Sequence, residues 1–319
     1  MKLDMVGVGL TCVDLVMKVD RFPKIDENVV GSDFNQFFGG VAANTTITLA
    51  RLGLATGFIG KIGNDQFGTD MIEAFKKEKV DVNNIIVEEG RSPLSLIMVD
   101  KKGRRIISHY PSKALLLFPK EVELKKDYLL NSKIVHLDGV PLLGAIKVGE
   151  LLKDTDTMVS HDMSAPLESF TKFGIKLEDI LKLINLCDIF IPCELALKSL
   201  TKEDDVMKAV KKVLTFGPKI AGTTLGSKGC IIATEEEIIR QPAFKVKVRD
   251  TTGAGDSFHG GFIYGILKGW DLNKVAEFAS AVAALACKKF GSRSSLPKLD
   301  EVNEFLKNAE PLEVNNHAR

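Results

Sequence analysis

Hydrophobic positions along the chain follow two alternating rhythms. Short, nearly continuous apolar runs predict strands at 5–9, 58–62, 134–137, 158–160 and 189–191. Each precedes a longer stretch with apolar residues at helical spacing, namely 40–52, 66–79, 143–153, 177–186 and 203–214. Strands this short and this apolar are expected where helices cover both faces of a sheet. The alternation therefore predicts an α/β fold with a doubly wound, mostly parallel sheet flanked by helices. Residues 14–38 and 92–110 break the rhythm, with alternation and turn chemistry but no convincing helix. In the second, LSLIMVD and RRIISHY flank Lys101-Lys102-Gly103, a hairpin pattern with glycine at the turn. Both regions predict a small antiparallel sheet standing off the main body, built from about 11–38 and 91–112. Such a sheet suits a lid over a cleft, or an ordinary surface hairpin. With no internal repeat or linker, residues 1–319 are expected to form one domain with this appendage.

Charge and composition narrow the function classes. The 43 Lys+Arg and 42 Asp+Glu residues leave a net charge of +1, without the basic excess of a general nucleic-acid binder. No apolar run approaches the roughly 20 residues that span a bilayer, so no membrane partner is expected. The opening MKLDMVGVGL has no long apolar core or small-residue cleavage pattern and is expected to be a first strand. Cys12, Cys187, Cys193, Cys230 and Cys287 are odd in number and lack a C-x-x-C pair. Buried, reduced thiols in a cytoplasmic protein are the expectation.

Candidate chemistry concentrates in Arg249-Asp250-Thr251-Thr252-Gly253-Ala254-Gly255-Asp256-Ser257-Phe258. It follows an alternating stretch at 244–248, expected to be a strand, and opens a small-residue helix at 257–267. Two glycines and an alanine at such a turn leave backbone N–H groups uncovered at the positive end of a helix, where phosphate oxygens bind. Asp256 in the first turn is placed to accept a proton from an attacking hydroxyl. A simple helix cap uses the same residue at the same place.

Asp250-Thr-Thr-Gly-Ala-Gly-Asp256 resembles the C-terminal signature of the ribokinase-like (PfkB) carbohydrate kinases. Phe38-Gly39-Gly40-Val41-Ala42-Ala43-Asn44 with Leu49-Ala50-Arg51-Leu52-Gly53 resembles the N-terminal one, and 60–68 and 224–229 fall in the family's order. The resemblance implies the ribokinase-like α/β fold with a β-sheet lid, and phosphoryl transfer from ATP with Mg2+ to a sugar hydroxyl. It implies Asp256 as catalytic base and Gly253, Ala254 and Gly255 as the anion hole. Asp14, taken to end the first strand, with Gly39, Gly40, Asn44 and His109, would contact the sugar. Thr224, Gly226, Ser227, Gly229, Gly255 and Ser280 would surround the nucleotide. Asp250, Thr252, Ala286, Lys289, Gly291 and Ser295 match a monovalent cation site, with K+ as the implied ion.

One departure stands out. The family's Asn-x-x-Glu, which supports the magnesium shell, reads Cys193-Glu194-Leu195-Ala196 here. Glu194 is the remaining carboxylate, two residues early. The stretches 97–100, 103–107, 109–111 and 241–245 look closest to the fructokinase, ketohexokinase and sulfofructose kinase branch, with Asn28, Arg105, His109 and Asp138 as candidate selectors. A ketohexose such as fructose is the expected acceptor. Ribose, a nucleoside or 2-keto-3-deoxygluconate are the alternatives, as is a non-catalytic sugar or nucleotide sensor of the same fold. The sheet edge of the lid suggests a homodimer. No G-x-x-x-x-G-K-[ST], G-x-S-x-G or H-E-x-x-H occurs, and Gly7-Val8-Gly9 has Cys12 where a dinucleotide fingerprint needs glycine.

Overall fold

The computed structural model describes residues 2–110, 112–172, 174–310 and Leu312. Pro111, in the lid stretch 109–111, lies outside the described residues. The strands are β1 (Leu3–Val8), β2 (Cys12–Val19), β3 (Gly31–Gly39), β4 (Thr56–Ile59), β5 (Lys61–Gly63), β6 (Ile86–Glu88), β7 (Leu94–Val99), β8 (Arg105–Tyr110), β9 (Ser132–Leu137), β10 (Met158–His161), β11 (Ile189–Phe190), β12 (Ile220–Thr224), β13 (Cys230–Ala233) and β14 (Ile238–Gln241). Eight of them form the main sheet in the order β14-β13-β12-β11-β10-β9-β1-β4. From β12 to β4 every pairing is parallel, and β13 and β14 extend the far edge antiparallel.

Alternation explains why these strands are mostly apolar. In β1, Val6 and Val8 join a core with Val135, Leu137 and Phe190, while Met5 faces the opposite side with Ile134, Ile263 and Phe278. Helices Leu142–Leu152, Leu177–Asn185 and Val206–Leu214 cover the first face. Ala254–Leu267 and Leu272–Ala286 cover the second. With both faces buried, most strand positions are apolar, and the polar exceptions such as His136 and Ser160 bond to one another.

The chain runs from β1 to β4 on one side and later returns through β9 and β10 on the other. The reversal leaves a crevice at the carboxyl ends of β1 and β9, where ligands bind in open α/β sheets. Helix Val41–Arg51 opens beside this crevice from Gly40, whose φ of 111° admits glycine readily. Its Thr46 and Thr48 hydroxyls return to the Ala42 and Asn44 carbonyls at 2.7 and 2.9 Å, so buried threonines need no outside partner. Helix Ala254–Leu267 packs directly on it. A Cβ on Gly260 would stand 2.5 Å from Thr48 Cγ2.

Several expectations need correction. The strand expected at 58–62 breaks at Gly60 into β4 and β5, and β5 pairs with β6 in a separate two-stranded sheet. The stretch 244–248 is not a strand; Phe244 sits buried at an isolated bridge, and the pairing strand is β14. The helix expected at 203–214 starts at Val206, and Glu194–Thr201 forms an additional helix. The second sheet runs β3-β2-β7-β8, but it is not wholly antiparallel: β2 and β7, its central pair, are parallel. Asp14 does not end the first strand; it lies within β2 of that second sheet. Of the cysteines, Cys187 and Cys230 are buried, whereas Cys12, Cys193 and Cys287 are partly accessible.

Candidate active site

Residues 249–258 turn from an extended segment into helix Ala254–Leu267 at the crevice. Gly253 caps the helix at φ 79°, and a Cβ there would meet Ser292 Cβ at 2.9 Å, so only glycine fits. Ala254 N–H donates to Thr251 O at 3.2 Å. The helix's remaining first-turn N–H groups have no intrahelical acceptor by geometry. Above Gly255 the space is open for 4 Å.

Asp256 lies in that first turn, 8% exposed. Its Oδ2 accepts a 2.7 Å hydrogen bond from Asn44 Nδ2, and its backbone carbonyl accepts from Thr45 Oγ1 at 3.1 Å. Burial, together with the Asp162 charge, pushes its carboxyl up to about 7. Asn44 is held in turn by Arg293, whose Nε donates to Asn44 Oδ1 at 3.0 Å. Arg293 Nη2 donates to Gly39 O at 2.7 Å and Thr11 Oγ1 at 3.2 Å, and its guanidinium stands 5.0 Å from the Phe75 ring centroid. Burial lowers the Arg293 pKa to about 10, which leaves it charged at neutral pH. Arg293, Asn44 and Asp256 thus form one chain of oriented groups drawn from segments more than 200 residues apart. Asp138, the first residue after β9, accepts from Leu10 N at 2.8 Å, Val140 N at 2.9 Å and Ala42 N at 3.3 Å, and burial pushes it up to about 7.

Val248 and Thr251, just ahead of this turn, line two cavities; of the turn itself Ala254 and Gly255 line the smaller one, and Asp256 and Asn44 lie behind both linings. The first, 610 Å³, lies between the second sheet and 248–252, with Asp14, Lys18, Ile97, Arg105 and Asp250 in its wall. Burial raises the pKa of Asp14. The second, 450 Å³ and mostly apolar, brings together Thr224, Gly226, Ser227, Gly229, Gly255 and Ser280 with Phe244, Phe258 and Cys287. Every residue assigned to the nucleotide by resemblance therefore faces one cavity.

Other expected site residues are placed less uniformly. His109 is exposed on β8, its Nδ1 3.1 Å from Ser95 Oγ, and Asn28 is exposed in a loop. Asp250 accepts from Thr252 N, Thr252 Oγ1 and Gly291 N at 3.0, 2.7 and 3.0 Å, and Ser295 Oγ donates to Gly291 O at 2.8 Å. Lys289 points its amine to Glu301 at 3.8 Å. Glu194 opens helix Glu194–Thr201 and is ion-paired with Lys198 at 2.8 Å, while Ala196 is fully buried. Positions 193 and 196 thus offer a thiol and a methyl where a magnesium shell would need oxygens.

Arg293, Asp162 and His259 escape the sequence reading. A buried arginine must be matched by acceptors, but its partners Gly39 and Asn44 lie some 250 residues away, so no local pattern announces it.

Comparison with known proteins follows the same outline. A model of the pfkB family carbohydrate kinases matches residues 2–299. The crystal structure of ribokinase from Thermotoga maritima superposes with a TM-score of 0.84 at 30% identity, covering 96% of this chain and all of that one. The structure of Arabidopsis thaliana ribokinase complexed with ribose and ATP gives 0.82 at 26% identity, covering 96% and 99%. The 5-dehydro-2-deoxygluconokinase of Clostridium perfringens is 29% identical over 330 residues, 96% of this chain and 93% of the relative.

Proposed function

This chain belongs to the pfkB family of carbohydrate kinases, phosphotransferases acting on a sugar, and from that premise we propose that Asp256 is the proton acceptor of an ATP-dependent transfer to a sugar hydroxyl. The observation that carries this reading is that two cavities share Val248 and Thr251 just ahead of the 253–256 turn, whose Ala254 and Gly255 line the smaller one. A nucleotide in the smaller cavity and a sugar in the larger would face each other across that turn. An acceptor hydroxyl presented to Asp256 gives up its proton as its oxygen attacks the γ-phosphorus, and the first-turn amides stabilise the charge that gathers on the phosphoryl oxygens. A base that titrates near neutrality combines availability with proton affinity. Thr224, Gly226, Ser227, Gly229 and Ser280 hold the nucleotide in this reading, and Asp14, Gly39, Gly40 and Asn44 hold the sugar under the second sheet as a lid.

The donor set suits a hard monovalent cation: Asp250 and Thr252 bring oxygens, and Ala286, Lys289, Gly291 and Ser295 would complete a K+ site. Magnesium, when bound with the nucleotide, supplies charge neutralisation at the phosphates. The chain adds no oxygen to it at 193 or 196.

For the acceptor, the lid stretches support a ketohexose such as fructose. A second reading has its own observation. Arg105 and Arg249 both line the larger cavity and make no salt bridge among the described residues, which suits a sugar carrying a carboxylate, as in the substrate that names the Clostridium relative. An acceptor screen with ATP and Mg2+, with and without K+, tests all of this. Turnover of fructose supports the first reading and turnover of keto-acid sugars the second. Sugar binding without turnover of any acceptor would point to a sensor and defeat both. The exposed edge of β8 supports a dimer through the lid, and a monomeric mass by light scattering would count against it.

A further inference from the structure

Three imidazoles and three carboxylates are buried around the carboxyl ends of β9 and β10, and the proposed transfer calls on Asp256 alone among them. His136 lies in β9, His161 ends β10, and Asp162 follows it. His259 stands on helix Ala254–Leu267, three residues beyond Asp256. All are at most 8% exposed, as is Asp138.

The imidazoles are not equivalent. His136 Nδ1 is 3.2 Å from Ser160 Oγ, and His161 Nδ1 is 3.1 Å from Leu137 O. Burial keeps both neutral, His161 lowered to about 4 and His136 held well below the ordinary histidine range. His259 has a different environment. Its Nε2 is 3.0 Å from Ile191 O and 3.5 Å from Asp162 Oδ2. A carbonyl can only accept, so that nitrogen carries hydrogen. Asp162 has no other ion-pair partner among the described residues, and a carboxylate buried alone is expensive. Burial by itself would lower the proton affinity of His259 and is the largest single influence; the charge and hydrogen bond of Asp162, the Asp256 charge and the Ile191 carbonyl together outweigh it and raise that affinity. His259 Nδ1 has no hydrogen-bond partner among the described residues, so Ile191 and Asp162 set the ring's orientation, and a proton on Nδ1 is held by the Asp162 charge without a hydrogen bond of its own.

We propose that His259 is a positioning residue for the transfer: an imidazolium held by the Asp162 carboxylate and the Ile191 carbonyl, it favours the carboxylate form of Asp256 when the acceptor arrives. This rests on the reading of Asp256 as proton acceptor. The field at Asp256 comes from every side. Asn44 donates to it, with the Arg293 charge behind; Asp162 and Asp138 face it from β10 and β9; His259 lies on its own helix. His259 itself faces Asp162, Asp256 and the neutral rings of His136, 5.1 Å away, and His161. Asp162 and Asp138 both favour the protonated form of Asp256, and His259 opposes them.

The test uses the whole protein. Nitrogen-15 spectra of the wild-type imidazoles at pH 7 should show His259 with both nitrogens protonated and His136 and His161 neutral. In His259→Gln, the carbon-13 titration of the Asp256 carboxyl should move up by about one pH unit, roughly a tenfold change in proton affinity. The acid limb of kcat/KM should move with it, so the ratio of wild type to variant grows about tenfold between pH 8.5 and pH 6. A purely structural role would give the same ratio at every pH. A neutral His259 in the wild type, or an Asp256 titration unmoved in the variant, overturns the proposal. The wild-type spectrum decides even if the variant fails to fold. Absence of turnover with every acceptor would defeat the role of Asp256 instead, and the spectra distinguish that failure from this one.

Discussion

The two larger sheets of this protein handle polar groups in opposite ways. At the carboxyl ends of the main sheet, charged and polar side chains are buried and bonded to one another: Arg293 to Asn44 at 3.0 Å, Asn44 to Asp256 at 2.7 Å, Asp138 to three backbone amides. In the four-stranded sheet, all six residues of β8 are exposed, and the Lys18–Asp33 pair at 3.0 Å is about half exposed on both sides. The first arrangement fixes positions, because each buried group would cost about 1–3 kcal/mol if left without its partner. The second fixes little, since solvent replaces any contact that is lost. The chemistry we propose, which must be held to a fraction of an ångström, sits at the end of the first sheet. In the proposed function, acceptor choice sits beside the second.

The sharpest way to break this contrast is Asp256→Asn. Turnover should fall by about 10²–10⁴-fold as the proton acceptor is lost, while sugar affinity by calorimetry stays near wild type; comparable turnover would remove the residue from the chemistry. The same substitution should raise stability at alkaline pH. The Asp256 pKa is raised in the folded state, to about 7, so its contribution is fully present below about pH 4 and lost as pH rises through 7. Denaturant unfolding should therefore show Asp256→Asn more stable than wild type by a few kcal/mol at pH 8, with the gap closing on acidification.

Arg293→Met should come next, at about 3 kcal/mol or more of stability, because Asn44 and the Gly39 carbonyl lose a buried donor together. A loss below about 0.5 kcal/mol in urea unfolding would mean the network does not hold Asn44. Asp14→Ala, on the boundary between the two sheets, should raise the acceptor KM by about tenfold, the order of one or two hydrogen bonds, with a smaller change in kcat. The smallest effect belongs to the second sheet itself: Lys18→Ala should change stability by less than about 0.5 kcal/mol, and a larger loss would show that this sheet is as tightly determined as the main one.

Much of the main sheet was legible in the chain because its signals are local. Runs such as 134–137 and helices such as 66–79 follow from which residues are apolar and at what spacing. The glycine-capped turn at 253–256 is likewise a contiguous pattern with a physical consequence. The misreadings have local causes as well. The stretch 244–248 alternates like a strand, but β13 already pairs with β14, which takes the edge position. Helix Glu194–Thr201 is eight residues long, too short for a clear helical period.

The sequence by itself determined the alternation of strands and helices, the glycine-capped turn at 253–256 and the carboxylate in it that we propose as base, since each depends on residues adjacent along the chain. Tertiary structure alone decided that Arg293 would orient Asn44, that Asp162 would meet His259, and that Thr251 would stand between two cavities. Those pairings cross up to about 250 residues of chain. They exist because burial leaves a charged group no partner except the one the fold brings within reach.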